Sequence, residues 1–64
     1  MTKAEFVQEF EERTGLEMLS AGWWWPLVYF DYSCGSVEFR HTTKSLYSRA
    51  HLEAAIKAVK GEKN

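Results

Sequence analysis

The fold depends on the run WWWPLVYFDY at residues 23–32, because seven of the ten aromatic residues fall between Trp23 and Phe39. From Leu27 onward the side chains are β-branched, aromatic or apolar, which favours a strand over a helix. Successive side chains of a strand point to opposite faces, so residues 28, 30 and 32 share one face and residues 27, 29 and 31 share the other. Three consecutive tryptophans cannot all enter one core. Either both faces of this strand are buried, or one aromatic face is left for a partner.

A tight turn at residues 33–36 follows this strand, and Gly35 tolerates the positive φ that hairpin turns often need. With Cys34 and Gly35 as the two loop residues, the register of the hairpin follows by counting. The predicted pairs on one face are Tyr32 with Val37, Phe30 with Phe39, and Val28 with His41. On the other face they are Asp31 with Glu38, and Tyr29 with Arg40.

Each end of the chain is predicted to be helical. Thr2 and Glu5 have the spacing of a capping box, which predicts a helix from about Lys3 to Arg13 that ends at Gly15. Its apolar stripe consists of Phe6, Val7 and Phe10.

The second predicted helix is capped by Ser48 and runs from about Arg49 to Lys60, with Gly61 as its stop and residues 62–64 as a frayed tail. Its apolar stripe consists of Leu52, Ala55, Ile56 and Val59.

The sequence patterns of two segments fit more than one secondary structure. Residues 16–22 fit either a short helical turn or a loop that Gly22 ends, and residues 45–47 fit a brief third strand. The sequence therefore predicts a single α+β domain, residues 1–64, in the order α-β-β-(β)-α, with both helices on one face of a small antiparallel sheet. The predicted uncovered face carries Leu27, Tyr29, Asp31, Glu38 and Arg40, together with Trp25.

Composition narrows the class of protein. A single cysteine, Cys34, excludes an internal disulfide and favours a reducing compartment, and two histidines with one cysteine cannot complete a structural zinc site. We expect no metal and no cofactor. No apolar run is long enough to cross a bilayer, so a cytoplasmic protein without membrane contact is expected. A chain of this size often gains stability by self-association, which leaves a homodimer open.

Charge is unevenly distributed along the chain. Residues 1–32 carry a net charge of −4 and residues 33–64 a net charge of +3. In the first helix a row of carboxylates, which includes Glu5, Glu9 and Glu12, fits a basic groove on another protein. The alternative is an ordinary solvated helix face.

The basic side chains cluster after the predicted hairpin, at Arg40, His41, Lys44 and Arg49. With Tyr29 and Tyr47 near them, they have the chemistry to contact phosphates and to stack on bases. The order α-β-β-β-α, with a helix N-terminus beside these cations, is similar in topology and length to the double-stranded-RNA-binding domain. That resemblance implies binding to nucleic acid.

The sequence offers no catalytic constellation. Facing carboxylates at Asp31 and Glu38 lack a cleft and are interpreted as a surface charge cluster with Arg40 or Lys44. Cys34 and His41 lie at opposite ends of the predicted hairpin, about five residue pairs apart at about 3.4 Å per residue, which is beyond hydrogen-bond reach. We therefore predict that the protein is not an enzyme.

These observations favour a protein-binding module, an inhibitor or regulator of the kind that phages and other mobile elements encode. The predicted contact residues are Trp23, Trp25, Leu27, Tyr29 and Arg40 on the sheet and Glu5, Glu9 and Glu12 on the first helix. Whether the tryptophan run belongs to the core or to the interface is left open. The alternative is a nucleic-acid-binding domain that uses Arg40, His41, Lys44 and Arg49, although such domains are usually strongly basic and this chain has a net charge of −1.

Overall fold

A computed structural model describes residues 1–61. The elements are α1 (Lys3–Thr14), β1 (Met18–Trp24), β2 (Leu27–Tyr32), β3 (Gly35–Arg40) and α2 (Arg49–Gly61). The strands form an antiparallel sheet in the order β1-β2-β3, and the helices pack on one face of it. The predicted α+β class and the order α-β-β-β-α are confirmed.

The predicted helix ends are formed by local hydrogen bonds. The N–H of Glu5 donates to Thr2 Oγ1 (3.1 Å) and the N–H of Thr2 donates to Glu5 Oε1 (2.9 Å), which completes the capping box. Gly15 takes the left-handed conformation, with φ of 74°, as predicted for the end of α1. Ser48 Oγ accepts from the N–H of His51 (3.3 Å) at the start of α2. Gly61, predicted to stop α2, is itself helical, and the predicted tail at 62–64 lies outside the described residues.

The third strand is not where the sequence placed it. Residues 45–47 form a loop, in which the ring of Tyr47 packs edge-on against Phe6 at 5.3 Å between centroids. The third strand is β1, which includes Gly22 and most of the undetermined segment 16–22. It pairs with β2 across a turn at Trp25 and Pro26, whose peptide bond is cis. An irregularity between Met18 and Ser20 interrupts this pairing.

The register between β2 and β3 differs from the prediction by two residues. The turn residues are Ser33 and Cys34, so Tyr32 pairs with Gly35, Phe30 with Val37, Tyr29 with Glu38 and Leu27 with Arg40. The reason is that Gly35 places its positive φ of 152° at the first residue of β3 rather than inside the turn. A shift by an even number of residues leaves every side chain on its predicted face. The predicted like-charge pair of Asp31 with Glu38 does not form, because Asp31 lies opposite Ser36.

The core lies between the helices and the even-numbered face of β2. Phe6 of α1 stacks on Phe30 of β2 at 5.0 Å between ring centroids, and Phe10 packs against Tyr32 at 6.1 Å. Most of the predicted core residues are buried, and Val7, Phe39 and Val59 are partly buried against them. The buried apolar residues are Phe6, Phe10, Met18, Val28, Phe30, Tyr32, Val37, Leu52, Ala55 and Ile56.

We expect Phe30→Ala to lower the free energy of unfolding by about 3–5 kcal/mol, because it leaves a cavity beside Phe6 in a fully buried site. Urea unfolding followed by circular dichroism measures the change. Since a domain of this size has a total stability of about 3–5 kcal/mol, the variant should be largely unfolded. Trp24→Ala on the opposite face is the control and should cost about 1 kcal/mol or less. Equal losses in the two variants would contradict the assignment of the faces.

Candidate functional site

The face of the sheet opposite the helices is the candidate site, and we call it the open sheet face. Antiparallel pairing places three side chains abreast at each level of this face. Trp24, Leu27 and Arg40 form the level next to the Trp25-Pro26 turn, followed by Gly22, Tyr29 and Glu38, and then by Ser20, Asp31 and Ser36. Leu27, Tyr29 and Arg40 are therefore brought together on one face, as the sequence predicted.

The centre of the open sheet face is apolar. Trp24 is 67% exposed beside the partly buried Leu27 and Tyr29. The Tyr29 ring lies flat across Gly22, since a Cβ added at that glycine would be 2.7 Å from Tyr29 Oη and 2.9 Å from two ring carbons. Because the glycine admits the ring, the tyrosine is held against the sheet rather than extended into solvent. The result is a continuous apolar surface made of an indole, an isobutyl group and a phenol.

Polar side chains border this apolar centre. Ser20 Oγ donates to Asp31 Oδ2 at 3.0 Å, which fixes a carboxylate at the end of the face away from Trp24. Glu38 and Arg40 are exposed, and Arg40 forms no ion pair with any other side chain of residues 1–61. The guanidinium of Arg40 is therefore available to a partner beside the indole of Trp24.

The three tryptophans go to three different environments. Trp24 occupies the open sheet face, where Trp25 was expected from the sequence. Trp25 lies in the turn and packs against the His41 ring, with 4.5 Å between centroids. Trp23 pairs with Val28, so its side chain points to the helix side of the sheet. If Trp25 and Pro26 are taken as a two-residue turn, residue 24 pairs with residue 27. The sequence read in this way places Trp24 beside Leu27 on the open sheet face.

The tryptophan run is more an exposed surface than a core. Trp23, Trp24 and Trp25 are 41%, 67% and 75% exposed, and none belongs to the buried cluster. Large aromatic side chains that remain this accessible are typical of contact surfaces.

The carboxylates of α1 do not form a uniform acidic row. Glu5 is engaged in the capping box, and Glu9 is bonded to Arg49 (2.6 Å) and to Arg13 (3.3 Å). Glu12 is exposed and accepts a hydrogen bond from the side-chain amide of Gln8 at 3.4 Å. Of the three predicted acidic contact residues, Glu12 is the one that remains most accessible to a partner.

Two arginines and two glutamates join α1 to α2. Arg13 donates to both carboxylate oxygens of Glu53, at 2.7 and 3.0 Å, and Arg49 donates to Glu9. The hydrogen bond from Arg49 holds the pKa of Glu9 below its ordinary value, and the bonds from Arg13 do the same for the pKa of Glu53. These groups are exposed to solvent, so each pair contributes little by itself. Their role is to fix the relative position of the helices.

The predicted basic cluster is divided by the fold. Arg40 lies on the open sheet face, and Arg49 is bonded to Glu9. His41 packs against two indoles, and Lys44 lies in the loop that follows β3. The four side chains that the nucleic-acid hypothesis requires therefore do not form one continuous surface.

The structure keeps Cys34 and His41 apart, and residues 1–61 form no metal-binding cluster. Cys34 is exposed in the turn at one end of β2, whereas His41 lies beside Pro26 at the other end, since its N–H donates to the Pro26 carbonyl. Residues 1–61 contain no cluster of three or more His, Cys, Asp or Glu side chains placed to hold a metal ion. Neither α1 nor α2 is long and apolar enough to span a membrane.

No protein-family model matches the chain, and no curated protein or solved structure matches it either. Function is therefore inferred from the geometry and chemistry of the described residues alone.

We expect Gly22→Ala to displace the Tyr29 ring from the sheet, because the new methyl group would overlap the ring. The cost should be about 1–3 kcal/mol of unfolding free energy. In the NMR spectrum of the native chain, the Tyr29 ring should exert a ring-current shift on the α-protons of Gly22. That shift should be absent from the α-proton of the alanine in the variant.

Gly61→Ala is the matched control, because its nearest neighbour would be Lys57 Cγ at an ordinary 3.8 Å. That substitution should be neutral or stabilising, as alanine is the better helix former. A stable Gly22→Ala variant with an unmoved Tyr29 ring would contradict the described packing.

We expect acid to weaken the bonds between the helices. Because the pKa values of Glu9 and Glu53 are lowered in the folded state, their stabilisation is present above the ordinary glutamate pKa, about 4.3, and is lost as the pH falls through the lowered values. The urea midpoint should therefore fall more steeply below about pH 4.3 in the native protein than in a Glu9→Gln, Glu53→Gln double variant. Parallel pH profiles for the two proteins would show that the pairs do not form in solution.

Proposed function

We propose that the protein is a non-enzymatic protein-binding module, an inhibitor or regulator that contacts another protein through the open sheet face. The observation that carries the proposal is the continuous surface of Trp24, Leu27 and Tyr29, over which neither α1 nor α2 is packed, with the guanidinium of Arg40, unpaired within residues 1–61, beside it.

The composition of the open sheet face supports a protein as partner. Protein interfaces typically have an apolar centre and a polar rim, and tryptophan, tyrosine and arginine are enriched among the residues that carry most of the binding energy. Burial of one large ring is worth about 2–4 kcal/mol, or roughly one and a half to three orders of magnitude in affinity. Two adjacent rings are thus sufficient to anchor a partner.

The rigidity of the face also supports this proposal. Tyr29 is restrained by its contact with Gly22, and Trp24 and Leu27 lie on paired strands. Side chains that are ordered before binding lose less conformational entropy when a partner covers them.

The charges on the face weigh against nucleic acid as its partner. The open sheet face carries one cation, Arg40, and two carboxylates, Glu38 at the next level and Asp31 at the far end, so it has no excess of positive charge with which to attract phosphates. The remaining basic residues of the predicted cluster lie elsewhere, and Arg49 is engaged with Glu9.

The test compares two neighbouring tryptophans. The immobilised native chain should capture its partner from a host lysate. Immobilised Trp24→Ser protein should not retain that partner, because the substitution removes the anchor of the open sheet face. Trp25→Ser, a substitution of an even more exposed indole outside the face, should retain that partner. Circular dichroism should show that both variants are folded.

Retention of the same protein by native chain and Trp24→Ser alike would refute the open sheet face as the contact. Retention of nucleic acid in place of protein, lost with Arg40→Ala and Lys44→Ala, would favour the alternative function.

A further inference from the structure

A second concave surface lies between the Trp25-Pro26 turn and the loop at residues 41–48. It forms a depression open to solvent, with a volume of about 290 Å³, lined by Trp23, Trp25, His41, Thr43 and Lys44. Because Trp23 points to the helix side of the sheet, this cavity is separate from the open sheet face. We call it the tryptophan pocket.

The walls of the tryptophan pocket are flat and aromatic. The His41 ring packs against Trp25 with 4.5 Å between centroids and an interplanar angle of 30°, and it meets Trp23 edge-on at 5.9 Å. The backbone N–H of His41 donates to the Pro26 carbonyl at 3.2 Å, which holds this residue beside the turn. Trp25 remains 75% exposed, so much of its indole is free to stack on a ligand.

A buried histidine holds the loop that forms the other wall. His51 is fully buried, and its Nε2 accepts from the N–H of Thr42 at 3.1 Å while its Nδ1 lies 3.1 Å from the Leu46 carbonyl. An N–H group only donates and a carbonyl only accepts, so these partners assign the donor role to Nδ1 and the acceptor role to Nε2. Thr43 Oγ1 donates to the Ser45 carbonyl (2.9 Å) and lies within hydrogen-bond distance of Ser48 Oγ (3.0 Å). The loop is thus ordered before any ligand arrives.

The charged side chain that lines the tryptophan pocket is a cation. Lys44 is the one lining residue with a permanent charge, and it forms no ion pair with the carboxylates of residues 1–61. The Thr43 hydroxyl is already hydrogen-bonded within the loop, and no acidic side chain of residues 1–61 lines the cavity. A ligand that satisfies this site combines a flat apolar ring with a negative charge.

We propose that the tryptophan pocket binds a planar aromatic anion, with the ring against the indoles of Trp23 and Trp25 and the anionic group at Lys44 Nζ. The cavity is at the small end of the range for ligand sites, about 300–1,000 Å³, so it fits one ring system with its substituent rather than a large cofactor. A nucleobase with its phosphate has this chemistry, since bases stack on aromatic side chains and lysine binds phosphate. The proposal does not depend on the function assigned to the open sheet face.

The experiment is an NMR titration with a purine nucleoside 5′-monophosphate and with the uncharged nucleoside. The indole N–H signals of Trp23 and Trp25 and the amide signal of Lys44 should shift, whereas the indole signal of Trp24, on the other face, should not. The nucleoside should bind at least about tenfold more weakly than the monophosphate. Indole-3-carboxylate, compared with indole, extends the test to a second aromatic anion.

Two lysine variants test the role of charge. Lys44→Gln should weaken binding of the monophosphate about tenfold, and Lys60→Gln, at the far end of α2, should leave it unchanged. A single-stranded oligonucleotide with a 5′-phosphate identifies the source of the ligand. Binding at least tenfold tighter than that of the monophosphate indicates a nucleic-acid strand, and equal or weaker binding indicates a free small molecule.

The proposal is overturned if neither aromatic anion shifts the Trp23 and Trp25 signals at millimolar concentration. It is also overturned if the uncharged compounds bind equally well, or if Lys44→Gln binds as the native chain does. Trp24→Ser should retain binding in this assay, so failure here and failure of the open sheet face are separate results.

Discussion

The structure depends on the two-sided character of β2, whose neighbouring side chains meet different environments. Val28, Phe30 and Tyr32 enter the core, and Leu27 and Tyr29 emerge on the open sheet face. A chain of 64 residues has two helices with which to cover its sheet, and both are drawn to the side where Phe30 stacks on Phe6. Burial of one face thus exposes the other. The apolar surface on the exposed face is a consequence of how the core is filled.

Local sequence signals were sufficient to predict the two helices and to predict which face of the sheet each side chain of β2 and β3 occupies. The capping box at Thr2, the glycine at position 15 and the cap at Ser48 each act over a few residues, and no distant contact overrides them. The predicted faces are correct even though the predicted β2–β3 register is wrong by two residues, because side chains along a strand alternate between faces with a period of two.

The strand β1 was missed because an irregularity in its pairing hides its pattern. Met18 is buried, Leu19 and Ser20 are both exposed, and Ala21 packs on the core, so the regular alternation of a half-buried strand is broken near its start. Gly22 added to the ambiguity, because a glycine in a strand is usually unfavourable and here its role is set by Tyr29 on the neighbouring strand. Because β1 is not predicted, the sequence analysis does not show that Trp24 lies on the open sheet face. It also could not anticipate the tryptophan pocket, whose loop is held by the buried His51.

The two surfaces differ in what they offer. The open sheet face is broad and apolar at its centre and carries one cation and two carboxylates, and the tryptophan pocket is narrow, aromatic and cationic. They begin at adjacent residues, since Trp24 belongs to the first and Trp23 and Trp25 to the second. One short hairpin therefore supplies aromatic side chains to both.

The bonds between α1 and α2 bear on the order in which the chain assembles. The three strands are joined by two-residue turns, so their pairing involves residues close in sequence. The contact of Arg13 with Glu53 instead joins residues forty positions apart, and ordering so long a segment has an entropic cost that local pairing does not. The topology therefore favours pairing of the strands over contact between the first helix and the last as the earlier event. Phe6 of α1 stacks on Phe30, so the core of the sheet also depends on the first helix lying over it.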